Sequence, residues 1–443
     1  MAIRLSDHFT YRRILRFTLP SILMMIFTSI YGVVDGFFVS NFVGKTPFAA
    51  INLIMPVLMI LSAFGFMIGT GGTAVVSKAM GEGREADAKR YFTFLTAVVV
   101  VGSLLLAVPC IFFLRSISTW LGAEGELLEY CVSYGRIILL ALPAYMLQTM
   151  FQSFLITAER PKLGLVVTVG AGVTNMVLDL LLVGIFPLGI EGAALATAVS
   201  QCVGGFVPFF YFFGKKNRVL HFVPFRFYGR VLWQTCTNGV SELMSNISMS
   251  LVGMLYNLRL LDIAGEDGIA AYGVIMYVNF IFVAIFIGYS IGVAPVIGYH
   301  YGAENRPELK SLLCKSTVLV AAGGAVLTAI GVALARPLSM IFVGYDAALL
   351  EMTAHGMVIY SLSFLFCGCG IFGSSFFTAL GNGVISAVIS FFRTMVFQVG
   401  SVLLLPLLLG LDGIWFSICV AEGLATLMTA WLVVFKRHKY GYL

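Results

Sequence analysis

The stretch "FGFMIGTGGTAVVSKAMGEGREADAK", Phe64 to Lys89, returns later in the chain as "FIGYSIGVAPVIGYHYGAENRPELK", Phe286 to Lys310. Each copy is a long apolar helix punctuated by glycine and followed by a short polar loop. Other echoes keep the same order: "LPSILM" from Leu19 with "GVSELM" from Gly239, and "LLEYCVSYG" from Leu127 with "LLEMTAHG" from Leu349. "LGIEGAALATAVSQ" from Leu188 likewise pairs with "LGLDGIWFSICVAE" from Leu409. Ordered self-similarity of this kind is an internal repeat, and it makes each half a test of the reading of the other.

What repeats is a set of membrane spans. Of 443 residues 60% are hydrophobic and only 11% charged, where a soluble domain has about a quarter charged. Apolar runs of about 20 residues or more, enough to cross a hydrocarbon core of about 30 Å, recur along the whole length. Twelve spans are predicted, at 17–42, 50–77, 92–114, 127–157, 163–187, 190–213, 232–258, 269–298, 313–335, 347–379, 384–409 and 412–435. Run length makes them helices, since barrel strands would be about ten residues of alternating polarity. The fold class is therefore an all-α polytopic membrane protein with twelve transmembrane helices in two six-helix lobes. Six is even, so both halves enter the membrane the same way up, related by a pseudo-twofold axis along the membrane normal. The expected units are an N-lobe at 1–214, a linker at 215–230 and a C-lobe at 231–443.

Lysine and arginine placement orients the chain. Twenty-one lie at the N-terminus, after spans 2, 4, 6 and 8, or in the tail; Lys45, Arg115, Arg136, Arg259 and Arg336 lie on the other side, and Arg393 completes the 27. Both termini are expected in the cytoplasm and the protein in the cytoplasmic (inner) membrane. The net charge of +6 is then a topology signal and no nucleic-acid footprint. The eight cysteines lie in or beside apolar spans and read as packing residues. The basic N-terminus precedes a full span without a small-residue cleavage site, so that run is span 1 rather than a signal peptide.

A charge at the bilayer centre is costly, so each intramembrane ionisable residue is a functional candidate. The acids are Asp35, Asp179, Glu242 and Glu422, and the one cation is Arg393. Counting from the span ends puts Asp35 about 27 Å and Asp179 about 24 Å above the cytoplasmic side, both in the outer half. Asn175 is one turn from Asp179 on the same face, and Thr197 of span 6 reaches a similar height. Two carboxylates, an amide oxygen and a hydroxyl at one level suit a hard monovalent cation such as Na+, or a shared proton, since two close carboxylates in a dry site cannot both stay ionised. The second half does not copy this set. Aligning Gly192 with Gly413 places Gly400 opposite Asp179, Val396 opposite Asn175 and Ile418 opposite Thr197, while Gln201 keeps a polar counterpart in Glu422. Glu242, Glu422 and Arg393 fall near mid-depth; Arg393 is expected to neutralise one glutamate, the other meeting a cationic substrate or a second proton.

The two six-span halves, the glycine-rich helix ending in "GEG" after span 2 with its echo after span 8, Asp35, "NMVLD" in span 5 and "LGIEGAALATAVSQ" in span 6 resemble a multidrug and toxic compound extrusion (MATE) transporter, over essentially the whole chain. The resemblance implies that Asp35, Asn175, Asp179 and Thr197 form an N-lobe cation site, with sodium or protons as coupling ion, as in the prokaryotic DNA-damage-inducible branch. "NGVSELMSN" around Glu242 is similar to the branch of a staphylococcal multidrug exporter. Span 10, "MVIYSLSFLFCGCGIFGSSFFTALGN", departs from the pattern in lacking the acid that some sodium-coupled members carry there. The expected function is a secondary active exporter of amphipathic organic cations, exchanged for Na+ or H+ by alternating access, with ion binding drawing span 1 against spans 5 and 6. It needs no cofactor beyond the coupling ion, and one chain encloses the pathway, so a monomer suffices. Competing readings are a flippase of lipid-linked precursors, which would favour a more basic cavity, an exporter of one metabolite, and a channel or receptor. An enzyme is not expected: no nucleophile-base constellation or phosphate loop stands out, and of five histidines only His355 falls in a span, where a packed neutral ring is expected.

Overall fold

The computed structural model describes residues 3–214 and 219–442. Lys215, Lys216 and Arg218 of the linker lie outside them, as does the side chain of Lys45. Twelve crossings result. In the first half they are α1 (Tyr11–Phe38), α2 (Lys45–Gly81), α3 (Glu85–Trp120), α4 (Gly125–Thr157), α5 (Pro161–Asp179) and α6 (Gly189–Phe213). In the second half one continuous helical path, Gly229–Gly302, supplies two spans, α7 (229–264) and α8 (266–302), parted at Gly265 by φ 65° and ψ −151°. Then follow α9 (Arg306–Val343), α10 (Ala347–Ser361 and Phe364–Ala379), α11 (Gly383–Leu409) and α12 (Leu411–Tyr440).

Three features differ from the sequence expectations. The loop expected between 258 and 269 is helical apart from one glycine, because only Gly265 adopts the positive φ that reverses the path. Span 10 is a broken helix bent by 48°. Nothing in its own sequence breaks it: Thr328 of α9 donates its hydroxyl to the carbonyl of Ser361 at 3.1 Å, and Gly324 lets α9 close onto the backbone at Phe364. His355 is no packed ring; it is largely exposed, 2.9 Å from Asp412, because it lies two turns into α10, near the membrane surface.

In the N-lobe α4 packs on α2, α3 and α6, and α5 lies between α1 and α6. Between the lobes α2 rests on α7 and α8, and α1 on α8. The two copies of the glycine-punctuated helix form the centre of this seam. A Cβ placed on Gly81 would fall inside the carbonyl of Tyr299, and one on Gly302 inside that of Lys78. In both cases the carbonyl lies three residues before the partner glycine, the reciprocity that a pseudo-twofold axis between α2 and α8 requires. A second such pair joins Gly71 and Gly239, each seated on the backbone of the other helix at Thr235 and Met67. Only glycine permits backbones this close.

The contact at Gly81 and Gly302 lies at the end of the bundle that carries both chain termini, and the contact at Gly71 and Gly239 deeper in the same half. At that end the N-terminal segment crosses from lobe to lobe. Glu159, in the turn after α4, accepts the N–H of Leu5 at 2.8 Å, and Glu308 at the start of α9 accepts that of Phe9 at 2.8 Å and pairs with His8 at 2.6 Å. Leu5 and Phe9 are buried. Burial raises the Glu159 carboxyl above its usual range, against the stabilising pull of the Leu5 N–H.

Candidate functional site: paired carboxylates in the N-lobe and a cleft between the lobes

The structure brings together all four residues of the first candidate set. Asp35 of α1 stands beside Asp179 and Asn175 of α5, and the Thr197 hydroxyl of α6 is 3.5 Å from Asp35 Oδ1. Asp179 is 0% exposed and Asn175 1%. Among the described residues neither carboxylate oxygen of Asp179 receives a hydrogen bond, and the Asn175 carbonyl oxygen is also without a partner. Three buried oxygens facing no donor, beside a second carboxylate, form a cage of acceptors that a cation or a proton would complete. Among the described residues no three His, Cys, Asp or Glu side chains are grouped so that they could hold a metal ion. Two carboxylates with neutral oxygens carry less charge than a typical divalent site and suit a singly charged ion.

Helix geometry accounts for the convergence. Directly after Asp179 the α-helix gives way to a wider π-turn, Leu180–Ile185, and α1 does the same at Val39–Val43. Such turns re-aim the last α-helical turn and recur at functional sites. Gly172 of α5 opens a niche into which Phe27 and Tyr31 of α1 fit, drawing the two helices close. Tyr31 lies one turn from Asp35 and beside Gln148 of α4, and buried Tyr134 of α4 stands near both aspartates. The i, i+4 spacing of Tyr31 and Asp35 was available in the sequence; Tyr134 and Gln148 left no local signal, being brought in from another helix.

The second candidate set separates. Arg393 of α11 pairs with Glu422 of α12: Nε donates to both carboxylate oxygens at 2.9 Å and Nη2 to Oε1 at 2.8 Å. Nη2 also reaches the Cys367 sulfur at 3.4 Å. Glu242 is the glutamate left over. It lines a cleft between the lobes with Arg393, beside apolar Met25, Phe66 and Met249 and polar Ser245, Asn246 and Ser374. Glu422 and Gln201 are not among the residues lining this cleft. Gln201 is buried in the N-lobe on α6, which packs on α4 and α5; its repeat counterpart Glu422 has the same register in the other lobe, so symmetry keeps the two apart. Sequence reasoning also missed the hydroxyls of Ser374, Thr378, Ser386 and Ser390, linked at 2.7–3.0 Å across α10 and α11.

A buried pair of this kind behaves asymmetrically on mutation. Arg393→Met leaves Glu422 buried and uncompensated and is expected to cost about 3–5 kcal/mol, whereas Arg393→Met with Glu422→Leu recovers most of that loss. Thermal unfolding in detergent of the single and double variants checks it.

Two repeated six-helix halves, a carboxylate pair in one and a polar cleft between them, define a polytopic membrane protein of the secondary-transporter architecture. Comparison with known proteins makes this specific. The MatE family model matches twice, over residues 20–181 and 243–403, once in each lobe. The chain belongs to the MatE family of membrane transporters. It is similar to the multidrug export protein MepA of Staphylococcus haemolyticus, 25% identical over 432 residues, covering 97% of this chain and 94% of that protein. MepA of Staphylococcus aureus is 25% identical over 441 residues with the same coverage. Among solved structures, an outward-facing multidrug resistance MATE family transporter of the MOP superfamily superposes with a TM-score of 0.93 at 20% identity, covering 98% of both chains. A MOP superfamily transporter from Pyrococcus furiosus, described as having a binding pocket of reversed polarity, gives 0.87 at 20% identity, over 96% of this chain and 97% of that one.

Proposed function

We propose that this protein is a monomeric multidrug exporter that expels amphipathic organic cations in exchange for Na+ or H+. The observation that carries the reading is the Asp35–Asp179 pair, with both Asp179 oxygens buried and unpartnered among the described residues. A lone sodium ion would be held by Asp35, Asp179, the Asn175 carbonyl and the Thr197 hydroxyl; a proton would be shared by the two carboxylates. Either neutralises a charge that the membrane interior otherwise opposes. Entry of one charge through about 100 mV supplies about 2.3 kcal/mol, before any concentration gradient.

The two lobes of this reading are residues 1–214 and 231–443, with 215–230 as linker. The positive-inside rule puts the termini face in the cytoplasm, so the glycine seam closes the cytoplasmic side and the lobes stand in an outward-facing arrangement. Neutralisation of the aspartate pair removes the repulsion between α1 and α5, allowing α1 to close on α5 and α6 and to shrink the N-lobe cavity. In the cleft Arg393 is spoken for by Glu422, so Glu242 is left to meet a cationic cargo, with Met25, Met249 and Phe66 offering adaptable apolar and π surface.

The test is dye movement in proteoliposomes of the purified protein, driven separately by a sodium gradient and by a pH gradient. Uptake of a fluorescent organic cation under one gradient names the coupling ion. Failure under both, with an intact protein, would overturn the cation-export reading in favour of an uncharged or anionic cargo such as a lipid-linked precursor.

A further inference from the structure

On the termini face, where the glycine seam ends, the lobes enclose a second cavity separate from the cleft of Glu242. Four cationic side chains line it, Lys78 and Arg84 from α2 and the turn after it, and Arg230 and Lys439 from the start of α7 and the end of α12, against the single carboxylate of Glu82. Glu82 is already committed. It pairs with Arg84 and lies 3.9 Å from Lys78. Among the described residues Arg230 and Lys439 have no carboxylate within ion-pair distance.

Arg230 also occupies a place that electrostatics disfavours. It is the second residue of α7, which starts at Gly229 with no side-chain cap from Tyr228 and no acid in its first turn. The positive end of a helix dipole repels a cation and attracts an anion. Gly229, Arg230 and Val231 line the same cavity, and none of their backbone N–H groups donates to another main-chain group. Lys78 and Lys439 are held at its rim by aromatic rings, 5.2 Å over Tyr301 and 5.4 Å over Tyr440.

The geometry points to an anion site here, for a ligand bearing a phosphate group, either a lipid headgroup from the adjoining leaflet or a soluble phosphate compound. Basic pockets between transmembrane helices bind phosphate headgroups by this chemistry, and phosphate adds charge-assisted acceptors for all four cations. The site has a conformational consequence. Two of its cations lie on α2 and its following turn and two on α7 and α12, so bringing the lobes together on this face gathers like charges that a bridging phosphate neutralises. The ligand binds best where the lobes meet, and by linkage its binding shifts the protein toward the state closed on the termini face.

Full-length protein in neutral detergent is titrated with phosphatidylglycerol and, separately, with inorganic pyrophosphate, reading the melting temperature. The distance between labels placed on the two lobes at the termini face is followed in parallel. At least one probe is expected to raise the melting temperature saturably and to shorten that distance. Arg230→Gln with Lys439→Gln should weaken the response about tenfold or more, a loss of about 1.4 kcal/mol. Lys436→Gln with Arg437→Gln, on the same end of α12 but outside the cavity, should leave it unchanged. Response to lipid alone identifies a headgroup site, to pyrophosphate alone a soluble ligand, and to both a site for the phosphate itself. No response to either, or an equal loss in the control pair, overturns the proposal.

Discussion

Asp179→Asn is expected to reduce gradient-driven transport to the level of empty vesicles, a loss of about 100-fold or more, while the protein stays folded and melts no lower than the wild type. Both halves of that result follow from one feature. Asp179 is buried with no donor to either oxygen among the described residues, so its charge is a cost to the ion-free protein. An asparagine amide removes the charge and donates a hydrogen bond to Asp35, permanently supplying what the coupling ion supplies transiently. A loss of about 100-fold corresponds to about 2.7 kcal/mol, within the range for deleting one partner of a desolvated charge interaction. Asp35→Asn should behave the same way, and Thr197→Ala far more mildly, since its hydroxyl stands at 3.5 Å. Uptake in proteoliposomes and thermal melts of the same preparations check both readouts. Normal transport by a normally folded Asp179→Asn protein would remove the carboxylate pair from the coupling mechanism.

The second large effect is expected from a single methyl group. Gly239→Ala puts a Cβ into the backbone of α2 at Met67, where neither helix can yield without parting the lobes. In an isolated helix alanine would be the better residue by about 0.5–1 kcal/mol. At this seam overpacking should cost the closed arrangement about 1–3 kcal/mol, a population shift of about 5- to 150-fold toward the form open on the termini face. Interlobe distances from paired spin labels on that face should lengthen. Gly253→Ala, on the same α7 with no atom within 4 Å of the added methyl, should change nothing. Equal distances in Gly239→Ala and wild type would mean that the seam does not set the conformational balance.

The parts of the candidate site were legible in the sequence to different degrees. Asp35, Asn175, Asp179 and Thr197 could be grouped from residue numbers because depth along a straight membrane helix is nearly linear in them, and a carboxylate in an apolar run has few neutral explanations. The partner of Arg393 was not decidable that way: Glu242 and Glu422 lie at comparable depth, and only the packing of α12 on α11 puts Glu422 at 2.8 Å. The π-turns after Asp179 and Phe38 carry no proline or glycine signature at their starts, so nothing local announced them. The bend in α10 is imposed from outside by Thr328 and Gly324 of α9.

What the amino-acid sequence alone determined was the architecture: twelve apolar helices, duplicated as two lobes, with an acidic pair in the first lobe that the second lacks. Hydropathy dictates this because the membrane leaves a backbone no alternative to closed hydrogen bonding, and the repeat supplies the symmetry. What tertiary structure decided was who meets whom across helices: Tyr134 beside the aspartates, Glu422 rather than Glu242 on Arg393, and four cations from α2, its following turn, α7 and α12 around one cavity. Such pairings depend on helix rotation and crossing, which are set by side chains of neighbouring helices and leave no period in the chain that carries them.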